Sequence, residues 1–427
     1  MLRFAASPTG DMHIGDLRVA ILNYLVAQQH QEPFTIRIDD TDKALNIEGK
    51  DTEIMQVLEK FALIHASVFH QSEHLHMHQT LAIRLLEEKK AFICVCSDEQ
   101  IEADKKKSKS WGLNYTYHGR CLDTSYDVKI LKEEKTPFVI RIHEPENSII
   151  INDLIQTTIC TNTTDVGSFI ILNSDGTPTP TFASACDDML AGITTLILEN
   201  NHFLDTARQM HIKEQLGFDA QMQYAHVASV SNCEDACLVQ WLFEQGFIPD
   251  AIINYLLLLG NDQAPKEIFT LPDAIAWFKL ENISKSSAKF DLEKLRYINR
   301  EHLKRIDDKQ LSSLFGFADV EVGKLIKLYL GEASTINELA LKIRPIFAPK
   351  VFESTYAKEM KMMQKVIMDA PMIHDFEEFY SYVMDKSGLK TQNSDTALRC
   401  LLTGAEQGPA LSDIYPLIKS YLLEVAS

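Results

Sequence analysis

"SPTGDMHIGDLR" (residues 7–18) brings a proline, two glycines, a histidine and a helix start together in one short stretch. Before it stands "LRFAA" (2–6), an apolar run that reads as a buried strand. After it, Leu17, Ala20, Ile21, Tyr24 and Leu25 recur at helical spacing. Strand, tight loop and helix in that order suit an α/β sheet whose first loop meets a phosphate. Gly10 and Gly15 admit close backbone approach. A helix start attracts an anion through its dipole and free N–H groups, and His13 can donate to a phosphoryl oxygen. The spacing alone fits equally well an ordinary strand–helix loop with a surface histidine. A second strand, "FTIRIDD" (34–40), completes a βαβ unit, which implies a parallel sheet with a right-handed crossover.

Bulk properties narrow the class. A length of 427 residues allows roughly three domains, and 45% apolar with 24% charged residues is ordinary for a globular chain. No apolar run reaches membrane-spanning length and no secretory signal is visible, so a cytoplasmic location without membrane contact is expected. Eight cysteines are too sparse for a disulfide scaffold. A net charge of −18 argues against a generally basic nucleic-acid binder but leaves room for a local basic track.

The texture changes along the chain. Helices are expected at 51–64 and 78–91, and a strand-rich segment at 92–170 reads as an insertion into the first domain. Strand–helix alternation resumes at 171–236. From Cys237 the pattern is nearly all helical, giving a helical region at 237–309 and a separate α-helical domain at 310–427.

The opening stretch then finds an explanation. "RFAASPTGDMHIGDLR" (3–18) closely resembles the first motif of class I glutamyl-tRNA synthetases, R-x-A-P-S-P-T-G-x-x-H-I-G. "RIDDTD" (37–42), "SDGTPTPTFASACDDML" (174–190), "QGFIPDAIINYLLLLGN" (245–261), "FDLEKLRYIN" (290–299) and "LRCLLTGAEQGPAL" (398–411) extend the resemblance in order along nearly the whole chain. It implies a Rossmann-type nucleotide-binding parallel sheet in 1–91 and 171–236 and an acceptor-stem insertion in 92–170. It also implies a stem-contact region in 237–309 and an all-α anticodon-binding domain in 310–427. The implied activity is ATP-dependent formation of glutamyl-adenylate, then transfer to the 3′ end of tRNA(Glu) or tRNA(Gln), by a monomer using Mg²⁺ with ATP. Catalysis of that kind rests on positioning and charge stabilisation.

Residue by residue, the resemblance makes His13 and Gly15 catalytic and Arg3, Ser7, Asp39 and Ser184 contacts for glutamate. It makes Thr9, Gly10, His13, Gly15, Asp187 and His226 contacts for ATP. Asp39 stands where the family has a longer glutamate, and Ser184 where it has asparagine.

Several positions depart from the pattern. The family's mobile lysine loop, K-M-S-K-S or K-L-S-K-R, is expected after "QYAH" (223–226), yet no lysine or arginine lies between His226 and Trp241. Glu234 and Asp235 put negative charge there instead, and losing a positioned cation weakens transition-state stabilisation. "NISKSSAKF" (282–290) imitates the missing loop, but the family carries a similar non-catalytic stretch there, so Lys285 reads as a loop lysine. In "LILENNH" (196–202) Leu198 replaces an arginine, Pro180 replaces a tyrosine, Asp16 replaces a neutral residue and Ala6 a proline. A catalytically weakened or inactive tRNA-binding paralogue is the alternative that these departures raise.

Cys94 and Cys96, with Tyr117 and Cys121, match the family's zinc-bearing insertion, and His118 is an alternative ligand. Thiolates with a fourth oxygen or imidazole ligand suit structural Zn²⁺; buried structural thiols are the other reading. The histidines at 65, 70, 74, 76 and 78 are expected in a solvated loop and helix start. Lys105, Lys106, Lys107 and Lys109, and the track Lys342, Arg344, Lys350, Lys358, Lys361 and Lys365, are candidates for RNA contact or solvated helix faces.

Overall fold

The computed structural model describes residues 1–112, 115–117, 119–232, 237–353, 355–389 and 393–427. Contacts divide them into two units, Met1–Gln240 with Leu256–Phe290, and Trp241–Tyr255 with Asp291–Ser427.

The first unit contains β1 (Leu2–Ala6), helix α1 (Ile14–His30), β2 (Phe34–Ile38) and β3 (Ser67–His70). It continues with β4 (Ala91–Cys94), β5 (Val139–Ile142), β6 (Ile149–Asp153), β7 (Thr157–Thr161), β8 (Ile170–Leu172), β9 (Thr195–Glu199) and β10 (Gln223–Val227). Seven strands form one sheet in the order β3-β2-β1-β9-β10-β6-β7. Its pairs are parallel except β6 with β7. The expected parallel sheet is therefore present, with an antiparallel hairpin at one edge. Leu2, Phe4, Phe34, Ile36, Leu196 and Ile197 are buried in it. Each such side chain contributes about 1.5–3 kcal/mol relative to exposure.

Helix α1 is buried on almost every side, from Ile14 to Ala27, as a helix laid on a parallel sheet and covered again must be. It ends at Gln31, whose left-handed backbone (φ 55°) returns its N–H to the carbonyls of Ala27 and Gln28. Arg18 ties the helix to the carbonyls of Ala228 and Leu259 at 3.0 and 2.6 Å.

The segment 92–170 departs from the sequence expectation in one respect. Residues 149–161 do not stay within an insertion: β6 joins the main sheet beside β10, and β7 lies outside it. The alternation in "IIIND", with Ile149, Ile151 and Asp153 buried, supplies one face for the core, but such a pattern does not name its partner strand. The remainder carries a separate antiparallel sheet, β4-β5-β8, and a helix at Asp98–Ser110 that starts with a capping box at Ser97.

The second unit is helical in its described residues, taking most of the helices Val239–Glu244 and Pro249–Leu258 and then all those from Leu292–Arg305 to Leu422–Val425. Buried polar ties hold it: Asn299 accepts from the Ile248 N–H at 2.9 Å and donates to the Ser334 carbonyl at 2.6 Å. At Gly323 a Cβ would lie 1.9 Å from the Asp308 carbonyl oxygen, so this helix crossing admits only glycine. No helix among the described residues is long and apolar enough to cross a membrane.

Candidate active site

A cleft of about 440 Å³ opens in the first unit where β1, β2 and β9 end. Ligands of open α/β sheets bind at the carboxyl ends of the strands. Six of the expected site residues line it together: Arg3, Ser7, Thr9, Gly10, Asp39 and Ser184. Leu198 and Pro180, the replacements for an arginine and a tyrosine, line it too.

Its floor is an ion cluster centred on Asp188. Arg3 forks onto that carboxylate, Nε to Oδ1 at 2.8 Å and Nη2 to Oδ2 at 3.1 Å. Arg37 donates through Nη1 to the same Oδ1 at 2.9 Å and to the Ser184 carbonyl at 3.3 Å. Its Nη2 reaches Ser184 Oγ at 2.9 Å and Asp39 Oδ2 at 3.2 Å, and its Nε reaches Asp39 Oδ1 at 2.6 Å. Lys213 Nζ stands 3.7 Å from Asp188 Oδ2. Burial works against the Asp188 charge, but Arg3, Arg37 and Lys213 hold this carboxyl well below the usual carboxylate range. Burial likewise opposes the Arg37 charge, and Asp39 and Asp188 outweigh it. Every N–H of Arg37 is thus engaged, whereas Arg3 keeps Nη1 without a hydrogen bond among the described residues.

His13 and Gly15 sit at the start of α1, beside the cleft loop. His13 is the helix N-cap: its Nδ1 accepts from the Gly15 N–H at 3.0 Å, and its own N–H meets Asp16 Oδ2 at 3.3 Å. An accepting Nδ1 places the ring proton of neutral imidazole on Nε2, which has no hydrogen-bond partner among the described residues. A Cβ on Gly15 would lie 2.2 Å from Glu199 Oε1. Burial raises the Asp16 carboxyl above its ordinary value, against the His13 contacts.

Asp187 and His226, the other two expected nucleotide contacts, do not line the cleft. Asp187 is buried and turned toward the 71–78 segment: its Oδ1 meets His78 Nε2 at 2.7 Å and His74 Nδ1 at 2.9 Å, and its Oδ2 accepts from Gln71 at 2.9 Å. This corrects the solvated reading of the 65–78 histidines at His78, which is fully buried. His226 is also fully buried, with Nδ1 2.7 Å from Asp153 Oδ2 and Nε2 2.9 Å from Thr206 Oγ1. Both of its ring nitrogens are engaged, one by β6 and one by the helix Phe203–Gln215. Sequence reading missed Asp153, Thr206, Arg37 and Lys213, because their partners are remote in the chain. The cleft-lining His202, Asp205 and Gln209 were missed as well, since no motif singles them out. Gln209 is 8% exposed and its Oε1 has no hydrogen-bond partner among the described residues.

The cysteines converge as expected. Sγ of Cys94, Cys96 and Cys121 lie within 4.8 Å of one another, with Cys96 and Cys121 3.8 Å apart. A tetrahedral ion with bonds of about 2.3 Å to sulfur separates its sulfurs by about 3.8 Å. Tyr117 Oη is 3.5 Å from Cys94 and 3.6 Å from Cys96. Burial pushes the Cys96 thiol up to about 11, while Cys121 is lowered because hydrogen bonds led by Tyr117 outweigh its burial. This set of three sulfurs and one oxygen fits zinc; His118 lies outside the described residues.

Around the expected lysine loop, Glu234 and Asp235 also lie outside the described residues. The chain before them is fixed: Val230–Ser231 pairs in parallel with Ala288–Lys289, which places the imitating 282–290 stretch alongside. After them, Val239 N–H returns to the Met12 carbonyl at 3.0 Å. Of the basic track in the second unit, Lys350 is turned inward. It donates to the carbonyls of Pro345, Ile346 and Ala348, and burial pulls its amine down to about 8. Lys342 pairs with Glu332 at 2.8 Å.

Comparison with known proteins gives a consistent answer. Residues 1–297 match the family described as tRNA synthetases class I (E and Q), catalytic domain. "Glutamate--tRNA ligase 2" of Sulfurovum sp. is 55% identical, with all of both chains covered. "Glutamate--tRNA ligase 2" of Sulfurimonas denitrificans is 44% identical, again with complete coverage of both. The Sulfurovum alignment runs over 436 positions against 427 residues here, so that relative has positions without a counterpart in this chain. Among solved structures, a glutamate tRNA ligase from Elizabethkingia meningosepticum in complex with its amino acid shares the fold with a TM-score of 0.81. The two are 24% identical, over 99% of this chain and 97% of that one. A glutamate-tRNA synthetase from Elizabethkingia anophelis gives 0.79 at 25% identity, over 99% and 98%.

Proposed function

The chain belongs to the class I tRNA synthetases of the glutamate and glutamine group, and from that premise we propose that it is a glutamate–tRNA ligase. Glutamate attacks the α-phosphate of ATP through its carboxylate, pyrophosphate leaves, and the glutamyl group then passes from the adenylate to a hydroxyl at the 3′ end of tRNA, releasing AMP. The observation that carries the reading is two donors without a partner among the described residues: Arg3 Nη1 in the cleft floor and His13 Nε2 at the start of α1. Arg3 receives a glutamate carboxylate, held in orientation by its fork on Asp188. Asp39 takes the α-amino group, and Ser7 and Ser184 complete the pocket. His13 stabilises charge on the phosphates as it develops, and Thr9, Gly10 and Gly15 give the nucleotide close backbone approach. Asp187 and His226 serve the site from behind, by fixing the helix and strand that carry it.

Mg²⁺ accompanies ATP. The Cys94, Cys96, Tyr117 and Cys121 set holds a structural Zn²⁺ that braces the insertion. The antiparallel sheet β4-β5-β8 and the helix Asp98–Ser110 within 92–170 meet the acceptor stem, 237–309 contacts the stem and 310–427 the anticodon, with the protein acting as a cytoplasmic monomer. Full-length similarity to proteins named as ligases favours turnover over an inactive paralogue. Charging tests this: purified protein with ATP, Mg²⁺, labelled glutamate and either tRNA(Glu) or tRNA(Gln). Label on one tRNA is the expected result and names the cognate. A folded protein that binds tRNA and labels neither overturns the reading.

A further inference from the structure

The start of α1 is not open to a ligand on all sides, because a side chain of the same unit already lies against it. Glu199 is the last residue of β9, and its Oε1 sits so close over Gly15 that a Cβ there would come within 2.2 Å of it. The same built Cβ would lie 3.1 Å from His13 Nδ1, so the carboxylate occupies the angle between the capping ring and the first helical turn. The position is held from the other side: Ser229 Oγ lies 3.3 Å from Glu199 Oε2 and 3.1 Å from Asn200 Oδ1. Glu199 has no salt bridge among the described residues. A carboxylate with no salt bridge among the described residues, its charge felt by the nearby His202, tethered by a serine and laid over the one residue of α1 that lacks a side chain, stands where an anion is attracted by helix N–H groups.

We propose that Glu199 sets the affinity for ATP in this chain, by covering the Gly15 face on which the nucleotide must lie. The inference rests on the ligase reading above. ATP and the Glu199 carboxylate compete for one space and carry the same sign of charge. Binding therefore requires the side chain to leave Ser229 and swing out, and the nucleotide meets a cost that an uncharged or smaller side chain would not impose. Asp16, which also lines the cleft, adds acidic character to the same corner. The residue acts on binding rather than on the chemical step, so its effect belongs in KM for ATP and not in kcat.

The test compares Glu199→Gln, Glu199→Gly and Ser229→Ala with the unaltered chain. ATP binding is measured by calorimetry in the presence of Mg²⁺, and KM for ATP and kcat by tRNA charging. Two unit charges about 4 Å apart interact by an amount worth about fivefold in water and several hundredfold in a site of lower effective dielectric. Glu199→Gly is expected to bind ATP at least about fivefold tighter, with kcat unchanged within about twofold. Glu199→Gln tightens binding if charge dominates. A gain in Glu199→Gly alone assigns the effect to bulk, and either result supports the proposal. Ser229→Ala, which frees the carboxylate without removing it, is expected to give a smaller gain. An unaltered chain that charges tRNA while Glu199→Gly binds ATP no more tightly overturns the proposal and leaves the ligase reading standing. A lowered unfolding midpoint in both Glu199→Gln and Glu199→Gly, with ATP affinity unchanged in either, also overturns it, in favour of a purely structural cap. If neither the unaltered chain nor any variant binds ATP or charges tRNA, the ligase reading falls and the proposal with it.

Discussion

His13 carries two separable tasks, and substitution can divide them. Its Nδ1 caps α1 by accepting from the Gly15 N–H at 3.0 Å, while Nε2 has no partner among the described residues. Asparagine places its amide oxygen near the position of Nδ1 and has nothing at the position of Nε2. His13→Asn should therefore keep the cap, since asparagine is among the best N-cap residues, and change stability by only a few tenths of a kcal/mol. It should remove one positioned donor from the developing phosphate charge. Losses of that kind cost about 2.7–4 kcal/mol, or about a hundred- to a thousandfold in kcat. His13→Ala removes both functions and should lose about 1 kcal/mol of stability besides. The assays are tRNA charging under saturating ATP and urea unfolding of the same preparations. A His13→Asn variant that charges within about threefold of the unaltered chain would refute the donor role of Nε2. Equal destabilisation by asparagine and alanine would refute the cap.

Other predictions follow from buried contacts. Gly323→Ala drives a methyl against the Asp308 carbonyl, so it should destabilise the second unit by at least about 1–3 kcal/mol, read from the unfolding midpoint of the intact chain. His226→Phe leaves Asp153 a buried carboxylate without its imidazole and should cost about 3–5 kcal/mol in unfolding free energy, with KM for ATP unmoved. At Asp153 burial works against ionisation, but the His226 hydrogen bond and the N–H groups of Gln156 and Ile155 bring the carboxyl below its ordinary 3.8. A lowered carboxyl stabilises the fold above its unfolded pKa, and that contribution fades as pH falls through the lowered folded value. Acid unfolding of the first unit should therefore set in below about pH 4 and become shallower in Asp153→Asn. Cys96→Ser should abolish binding of one equivalent of zinc, measured by metal content after dialysis, and expose the insertion to proteolysis.

The order of elements was legible because local pattern carries it. "LRFAA", the helical repeat from Leu17 and "FTIRIDD" each match a period that neighbouring residues alone determine. The cleft was legible in part for the same reason. Arg3, Ser7, Thr9 and Gly10 lie within one strand and its loop, so placing that loop places all four. What escaped was pairing at a distance. Nothing near Asp188 in the chain says that Arg3, 185 residues earlier, will fork onto it. Nothing near His226 says that its ring closes on Asp153 rather than on a ligand. The adjacent aspartates 187 and 188 look alike in sequence, yet consecutive residues on a helix point about 100° apart. One faces the cleft floor and the other the histidines.

The strand order has a consequence for how the protein is made. β1 has β2 on one side within about 40 residues, but its other neighbour, β9, pairs Leu2 with Thr195 and so leaves the ribosome about 190 residues later. At synthesis rates of about 5–20 residues per second, that is about 10–40 s during which the inner edge of an apolar parallel strand has no partner. For this interval the nascent chain is a half-built sheet with a core strand at the margin, the arrangement that invites pairing with a foreign strand. Slow codons placed just after β10 would let the sheet close before the helical unit emerges, whereas slow codons between β3 and β9 would lengthen the exposure. The yield of soluble protein should therefore depend on where the message is slow and not only on how slow it is.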